Sequence, residues 1–518
     1  MSSDRVAAAV ALATALTLGV TAWVWRTGAV GGSDSACYAL MARVFAEGQA
    51  QPLSTLALEA PWPDATRVAA PAGFLPSAST PGAAVPVCAP GYALLLAPVV
   101  RLGGPAAVHV VPPLAAACLA WLAFLLARRL HSAWAGAGAA ILVSANPVVL
   151  FQAVQPMNDI TTGALWLAAA LTALAARPVS TGLLVGIGLL VRPNLAPAGA
   201  VAMLACVWAA SRPFTRGAWL GRVGRTSVAC GVGALPGVLA ALGLNALLYG
   251  SPLQSGYGDL GVLFAASHVT VNLTHYGHTW LTTGSPLVLL ALAAPWLVRR
   301  DRRAEAWALV LLAGALSVVY LAYRPFPEWW YLRFLLPAVA LSLVLTSVAT
   351  FALAARLRTA GAVPVALVAI AAAAAWGLRS GEGREAFGMR QLEARFPLTA
   401  AAVAANLPPG AVAITVWQSG GLRFWPGSDV VVWDALDPAW LDRAVTWLGD
   451  LERLPAIVVE RWEEEGFRQR FAGQTYGALD WPPRYDVDRR VRIFLPGDRA
   501  RYLAGEPVVT TTLFAPRR

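Results

Sequence analysis

The sequence predicts a mainly α fold: a polytopic membrane helix bundle followed by a small C-terminal extracytoplasmic α/β domain. Three observations predict it. Of 518 residues 58% are hydrophobic and only 13% charged, about half the charge of an ordinary soluble chain. The 28 acidic residues are unevenly placed, 10 in positions 1–379 and 18 in positions 380–518. Apolar runs long enough to cross a bilayer recur through the first part and stop there. Residues 1–379 therefore read as a membrane-embedded domain and 380–518 as an attached soluble domain. A soluble enzyme, a nucleic-acid-binding protein and a disordered chain are excluded.

All 39 cations are arginine; the chain has no lysine. Schiff-base chemistry and a Walker-type phosphate loop are thereby excluded, which argues against ATP-driven transport by this chain alone. The first apolar run, 6–25, is too long for a signal-peptide core and reads as a retained span. Further spans are expected near 106–127, 134–151, 161–176, 181–192, 195–210, 227–248, 283–298, 304–323, 334–354 and 360–378. The run 181–192 is short, and Gly182, Gly186 and Gly188 suit close packing on a neighbour.

Alternate connections carry Arg5; Arg128 and Arg129; Arg177; Arg212, Arg216, Arg222 and Arg225; Arg299, Arg300, Arg302 and Arg303; and Arg356 with Arg358. All fall on one side of this span order, so the positive-inside rule expects a cytoplasmic N-terminus and extracytoplasmic long loops and C-terminal domain. The outward face then owns residues 26–90, the turn at 152–161, the loop 249–282 and the turn 324–333. Cys37 and Cys88 fall in the first of these and are able to pair if it is extracytoplasmic; Cys118, Cys206 and Cys230 read as small core residues.

The unusual residues sit in those four pieces. In GGSDSACYALMARVFAEG (31–48) a short amphipathic surface helix is expected, with Ser33 or Asp34 as N-cap; Asp34 is either that cap or a functional carboxylate. Asp159, in QPMNDITTG, stands between two apolar runs, where a carboxylate caps a helix, binds a cation or lines a wet cavity. Arg192 and Arg333 end apolar runs and either anchor the membrane edge or hold a phosphate with a guanidinium fork. The loop 249–282 holds Tyr257, Asp259, His268, His275, Tyr276 and His278, at spacings that match no standard zinc motif.

In order, these pieces resemble the GT-C superfamily of polyprenyl-phosphate-sugar-dependent glycosyltransferases, nearest to family 39, the protein O-mannosyltransferases and the bacterial aminoarabinose-to-lipid-A transferase. The resemblance rests on Gly-Ser-Asp-Ser-x-x-Tyr around Asp34 and Tyr38, Gln-Pro-x-Asn-Asp ending at Asp159, the run from Gly182 to Arg192 and Pro193, NALLYGSPLQSGY at 245–257 and YLRFLLP at 331–337. It implies an inverting transfer of a sugar from a polyprenyl phosphate to an acceptor hydroxyl on a lipid, glycan or protein, at the outer face of a bacterial inner membrane. It makes Asp34 and Asp159 the catalytic pair, with Arg333, Arg192, Tyr38, Tyr257, His275 and His278 binding substrate. Asp159 matches a position where some members hold a divalent metal ion, the one possible cofactor; Ser35 stands where many members carry an acidic neighbour to Asp34, which weakens a metal site there. A flippase of lipid-linked sugars and a non-catalytic scaffold with a sensory exterior domain are the alternatives.

The exterior domain is expected to alternate helices at 398–406, 438–451 and 461–471 with strands at 411–417, 429–434, 456–460 and 490–496, forming a mainly parallel sheet. Within it, Trp417–Trp425 reads as buried aromatics about a glycine turn, with an acceptor contact as the alternative, and Glu463–Glu465 as a solvated helix face.

Overall fold

The computed structural model describes residues 2–212, 219–357 and 361–514; Arg216 and Arg358 lie outside them. Its chain forms two compact units. The first comprises Met1–Arg26, His109–Gly243 and Gly258–Met389, the second Thr27–Val108, Leu244–Tyr257 and Arg390–Arg518. The sequence boundary expected at 379/380 falls near one edge of this division, but residues 27–108, assigned by sequence to the membrane domain, share a unit with the C-terminal region.

The first unit is a polytopic helical membrane fold. Among the described residues, seven helices are long and apolar enough to cross a bilayer, and nine if each of two bent pairs is one span. Three expected spans differ. The runs at 161–176 and 181–192 lie in helices of 17 and 14 residues, Asn158–Leu174 and Pro178–Val191, the latter about 21 Å long against a hydrocarbon core of about 30 Å. The third, 283–298, is the second half of a broken pair: His268–Gly284 and Pro286–Leu297 meet at 116°. Half of the supposed loop 249–282 is therefore helix. The break falls at Ser285, whose φ of 65° lies in the left-handed region and which precedes a proline. A second bend, of 64°, separates Ala133–Ala145 from Pro147–Ala153; Asn146 caps the new helix by accepting the Val148 N–H at 3.0 Å.

Packing follows the glycines. A Cβ on Gly182 would stand 2.0 Å from the Cys230 carbonyl oxygen, and one on Gly186 2.5 Å from that of Ala234. Pro178–Val191 thus lies backbone against backbone on Trp219–Tyr249, as a small-residue contact in lipid requires. The stretch Trp329–Leu357 is 89% buried over its most apolar window, a helix apolar all round because other helices surround it. At one end of the unit two arginines meet one carboxylate. Arg129 donates to Glu305 at 2.9 Å and to the Leu174 carbonyl at 2.6 Å, and Arg302 reaches Glu305 at 2.9 Å. Cys206 and Cys230 are buried, whereas Cys118 is exposed rather than in the core.

In the second unit the Asp34–Ala46 helix is no surface helix. Ala36 through Ala42 and Val44 are all buried, because Gly91–Gly103 packs on one side and the Cys37–Cys88 disulfide, with a Cα–Cα distance of 6.3 Å, closes the junction. Strands β1 (Phe74–Pro76) and β2 (Ala84–Pro86) pair antiparallel nearby. The C-terminal sheet contains β3 (Val412–Ile414), β4 (Asp429–Val431), β5 (Pro455–Glu460), β6 (Tyr485–Val487), β7 (Val491–Phe494) and β8 (Thr511–Leu513), in the order β4-β3-β5-β7-β6-β8. It is mainly parallel, as expected, but mixed by one reversed strand: β3 pairs parallel with β4 and β5, and β6 with β8, while β7 runs antiparallel to β5 and β6. The cause is a tight hairpin at Asp488 and Arg489, whose φ values of 51° and 55° are those of a type I′ turn. Neither residue is the glycine that normally signals such a turn. The sheet is tied to residues 27–108 by Val432 N–H to Val68 O at 2.7 Å, Ala72 N–H to Ser419 Oγ at 3.0 Å and Arg43 to Phe424 O at 2.7 Å.

Candidate active site

Within the first unit, four chain segments place a charged cluster opposite the Arg129–Glu305 end. Asp159 lies in the first turn of the Asn158–Leu174 helix, whose last residue, Leu174, belongs to the other end, about 25 Å away along the helix. Met157 occupies the N-cap position, so neither Asn158 nor Asp159 caps the helix. The Asp159 carboxylate is fully buried; its Oδ1 accepts from Arg192 Nη2, and its Oδ2 lies 3.7 Å from Arg333 Nη1. Arg192 arrives because Pro193 ends the preceding helix and holds Arg192 extended at φ −147°, ψ 83°. The same guanidinium donates to Asn158 Oδ1 at 3.0 Å and to the Phe334 carbonyl at 3.4 Å. Arg333 comes from the 3-10 turn Trp329–Leu335, before the central buried helix, and touches Met157 Sδ at 4.0 Å.

Both guanidinium groups border an aromatic wall. The Tyr320 and Phe334 rings stack at 5.2 Å, each with the Arg192 guanidinium carbon 5.9 Å from its centroid, and Arg333 lies 5.2 Å from Phe334 and 5.4 Å from Tyr331. One carboxylate faces two guanidiniums, each about a tenth exposed. The cluster is a buried charge network, in which each charge needs well-placed partners. Planar forks flanked by aromatic faces suit phosphate oxygens. They do not suit a metal at Asp159: a divalent cation there would meet two guanidiniums already bound to the carboxylate. Among the described residues no group of three His, Cys, Asp or Glu side chains is disposed to hold a metal ion.

The other sequence candidates are placed differently. Asp34, in the second unit, stands exposed in the first turn of its helix, its Oδ1 3.4 Å from the Ser33 hydroxyl; Ser33 occupies the N-cap position. Tyr38 is buried edge-to-face on Tyr92 at 5.2 Å, a packing position, and Tyr257 is exposed. His275 and His278 lie on the His268–Gly284 helix and make no hydrogen bond or ion pair to the Asp159 cluster. Sequence reasoning missed Tyr320, Phe334 and the role of Asn158 as a ligand of Arg192. The signals available were a tyrosine inside an aliphatic helix and an amide adjoining the buried acid.

No protein-family profile matches the sequence, and no curated protein matches it. Solved structures do. ArnT from Cupriavidus metallidurans in the apo state superposes with a TM-score of 0.54 at 13% identity, over 89% of this chain and 94% of that one. The chain has the fold of ArnT. ArnT bound to undecaprenyl phosphate matches it with a TM-score of 0.54 at 14% identity, over 88% of this chain and 94% of that one. The Archaeoglobus fulgidus oligosaccharyltransferase, in complex with Zn and sulfate, matches it with a TM-score of 0.50 at 13% identity, over 89% of this chain and 69% of that one.

Proposed function

We propose that the chain is a membrane glycosyltransferase that moves a sugar, with inversion, from a polyprenyl-phosphate donor to an acceptor hydroxyl on a lipid, glycan or protein. The observation that carries this reading is the buried Asp159 held by Arg192 and Arg333, two guanidinium forks beside an aromatic wall. The ArnT structure of the same fold is bound to undecaprenyl phosphate. In this reading the reaction takes place at the extracytoplasmic face of a bacterial inner membrane with the N-terminus in the cytoplasm, an orientation the arginine pattern supports.

In the transfer, the anomeric carbon bonds to the acceptor oxygen as its bond to the phosphate oxygen breaks. The electron pair of the broken bond leaves on the lipid phosphate. The charge on that phosphate rises in the transition state, so the guanidiniums of Arg192 and Arg333 stabilise it more than the bound donor. Asp159 fixes the two forks in place and keeps them apart from each other's repulsion. Asp34, the acidic residue of the GSDS motif, takes the acceptor's proton. The donor bond supplies the driving force, in keeping with the missing lysine and phosphate loop.

Purified protein in lipid nanodiscs, given a panel of polyprenyl-phosphate sugars, is expected to transfer one of them, and Asp34→Asn to lower kcat about 10²-fold or more. Equal turnover by wild type and Asp34→Asn removes Asp34 from its role. Transport of the lipid-linked sugar across a proteoliposome without any transfer replaces the enzyme by a flippase.

A further inference from the structure

Trp417 and Trp462 are 40% and 62% exposed, and their rings meet edge-to-face, 5.7 Å between centroids at 63°. Their support is buried. Trp462 Nε1 donates to Glu460 Oε2 at 2.8 Å, and Glu460 Oε1 accepts from Gln418 Nε2 and from Arg395 Nε, both at 2.9 Å. Gln418 and Glu460 are 0% and 3% exposed. One buried, charge-paired carboxylate thus anchors one indole directly and the other through the side chain next to it, a network that holds both rings in one pose. Glu463 completes the floor: its carboxylate accepts the Glu460 N–H at 2.8 Å. Two residues of the acidic run are thus buried, against the solvated helix face the sequence implied, since Glu464 lies between Arg468 and Arg492, at 3.0 and 2.8 Å; only Glu465 is exposed.

The pair has a neighbour of consequence. A Cβ on Gly32 would sit 3.4 Å from the Trp417 ring, and one on Gly420 only 2.3 Å from Ala36 Cβ. The tryptophans therefore stand beside the Gly31–Ser33 turn that opens the helix bearing Asp34. A tryptophan at a membrane interface turns its N–H toward headgroups and water. The Trp462 N–H is committed inward to Glu460, which leaves the ring face as the surface on offer. The Trp417 N–H makes no hydrogen bond among the described residues and is available to a ligand. Two rigid indole faces meeting at a corner, with one donor at the edge, match a pyranose: its C–H face stacks on an indole and a hydroxyl meets the N–H.

We infer that Trp417 and Trp462 form a carbohydrate-stacking platform that docks a glycan acceptor beside Asp34, an inference that rests on the proposed transfer reaction. The test reads binding without any donor. Soluble gluco-, manno-, galacto- and arabino-oligosaccharides are offered to the full chain in nanodiscs and followed by saturation-transfer NMR. At least one is expected to bind, the W417A/W462A double variant to bind it at least about tenfold more weakly, and W417F/W462F, which keeps the ring faces, to stay within about threefold. Binding of none by the wild type, or equal binding by the alanine variant, overturns the platform. So does quenching by brominated phospholipid of the emission that wild type has and W417F/W462F lacks, which would assign the indoles to the bilayer. Where transfer is observed, the alanine variant is expected to raise the acceptor KM and leave the donor KM unchanged. Glycan binding without transfer by any donor would sink the enzyme reading and leave the platform standing.

Discussion

Two clusters in the first unit each set a carboxylate against two arginines, at opposite ends of the same helices. At one end Glu305 meets Arg129 and Arg302, whose side chains are 30% and 36% exposed; at the other Asp159, wholly buried, meets Arg192 and Arg333, each 10% exposed. Solvent screens the first and dilutes its energy to that of an ordinary surface ion pair. The second has little such relief, so each of its charges depends closely on its partners. Composition is therefore a poor guide to function; burial separates a cluster that marks a membrane edge from one built to receive a ligand.

The comparison breaks first at Asp159. Asp159→Asn leaves two buried guanidiniums without their shared counter-ion and is expected to destabilise the chain by about 3–5 kcal/mol, read as a lowered denaturation midpoint in detergent. Arg192→Ala and Arg333→Ala are each expected to lower kcat by about 10²–10³-fold, the loss typical of one fixed donor to a developing anion, while Arg302→Ala leaves turnover unchanged; equal effects at both ends would erase the distinction drawn here. Glu463 sharpens the rule from the second unit. It is buried yet makes no ion pair among the described residues, and burial, the largest cause, pushes its carboxyl from 4.5 up to about 7, with Glu460 and Asp434 adding to the rise. The folded chain then holds a proton that the unfolded chain releases, so stability falls as pH rises from about 4.5 to 7. Glu463→Gln is expected to remove that slope and to exceed wild type by about 3 kcal/mol at pH 8, measured by denaturation across pH 5–8. Smallest, Glu305→Gln is expected to cost about 1 kcal/mol or less, with little change in activity.

Much of the architecture was readable in local pattern. Apolar runs and alternating arginines locate most of the helices, and the glycines of 181–192 announce their close contact, because hydropathy and residue size act over a few neighbouring positions. The misreadings share one cause. The Asp34–Ala46 helix looked like a surface helix, yet Gly91–Gly103 and the C-terminal region pack on it and bury Ala36 through Ala42. Glu463 and Glu464 looked solvated, yet the helix bearing them lies over the sheet. The Asp488–Arg489 turn carries no glycine to reveal it, and it alone reverses the strand direction that makes the sheet mixed.

The sequence by itself determined that this chain is a bundle of apolar helices with an attached α/β region, because periodicity, hydropathy and charge are local properties that survive without coordinates. It also marked Asp159, Arg192 and Arg333 as misfits in apolar surroundings. Only the tertiary structure decided that those three meet, since Pro193 turns one arginine back and a 3-10 turn delivers the other from a distant helix. It decided too that the meeting point excludes water. Electrostatic energy depends on separation and dielectric, and neither can be read from the order of residues along a chain.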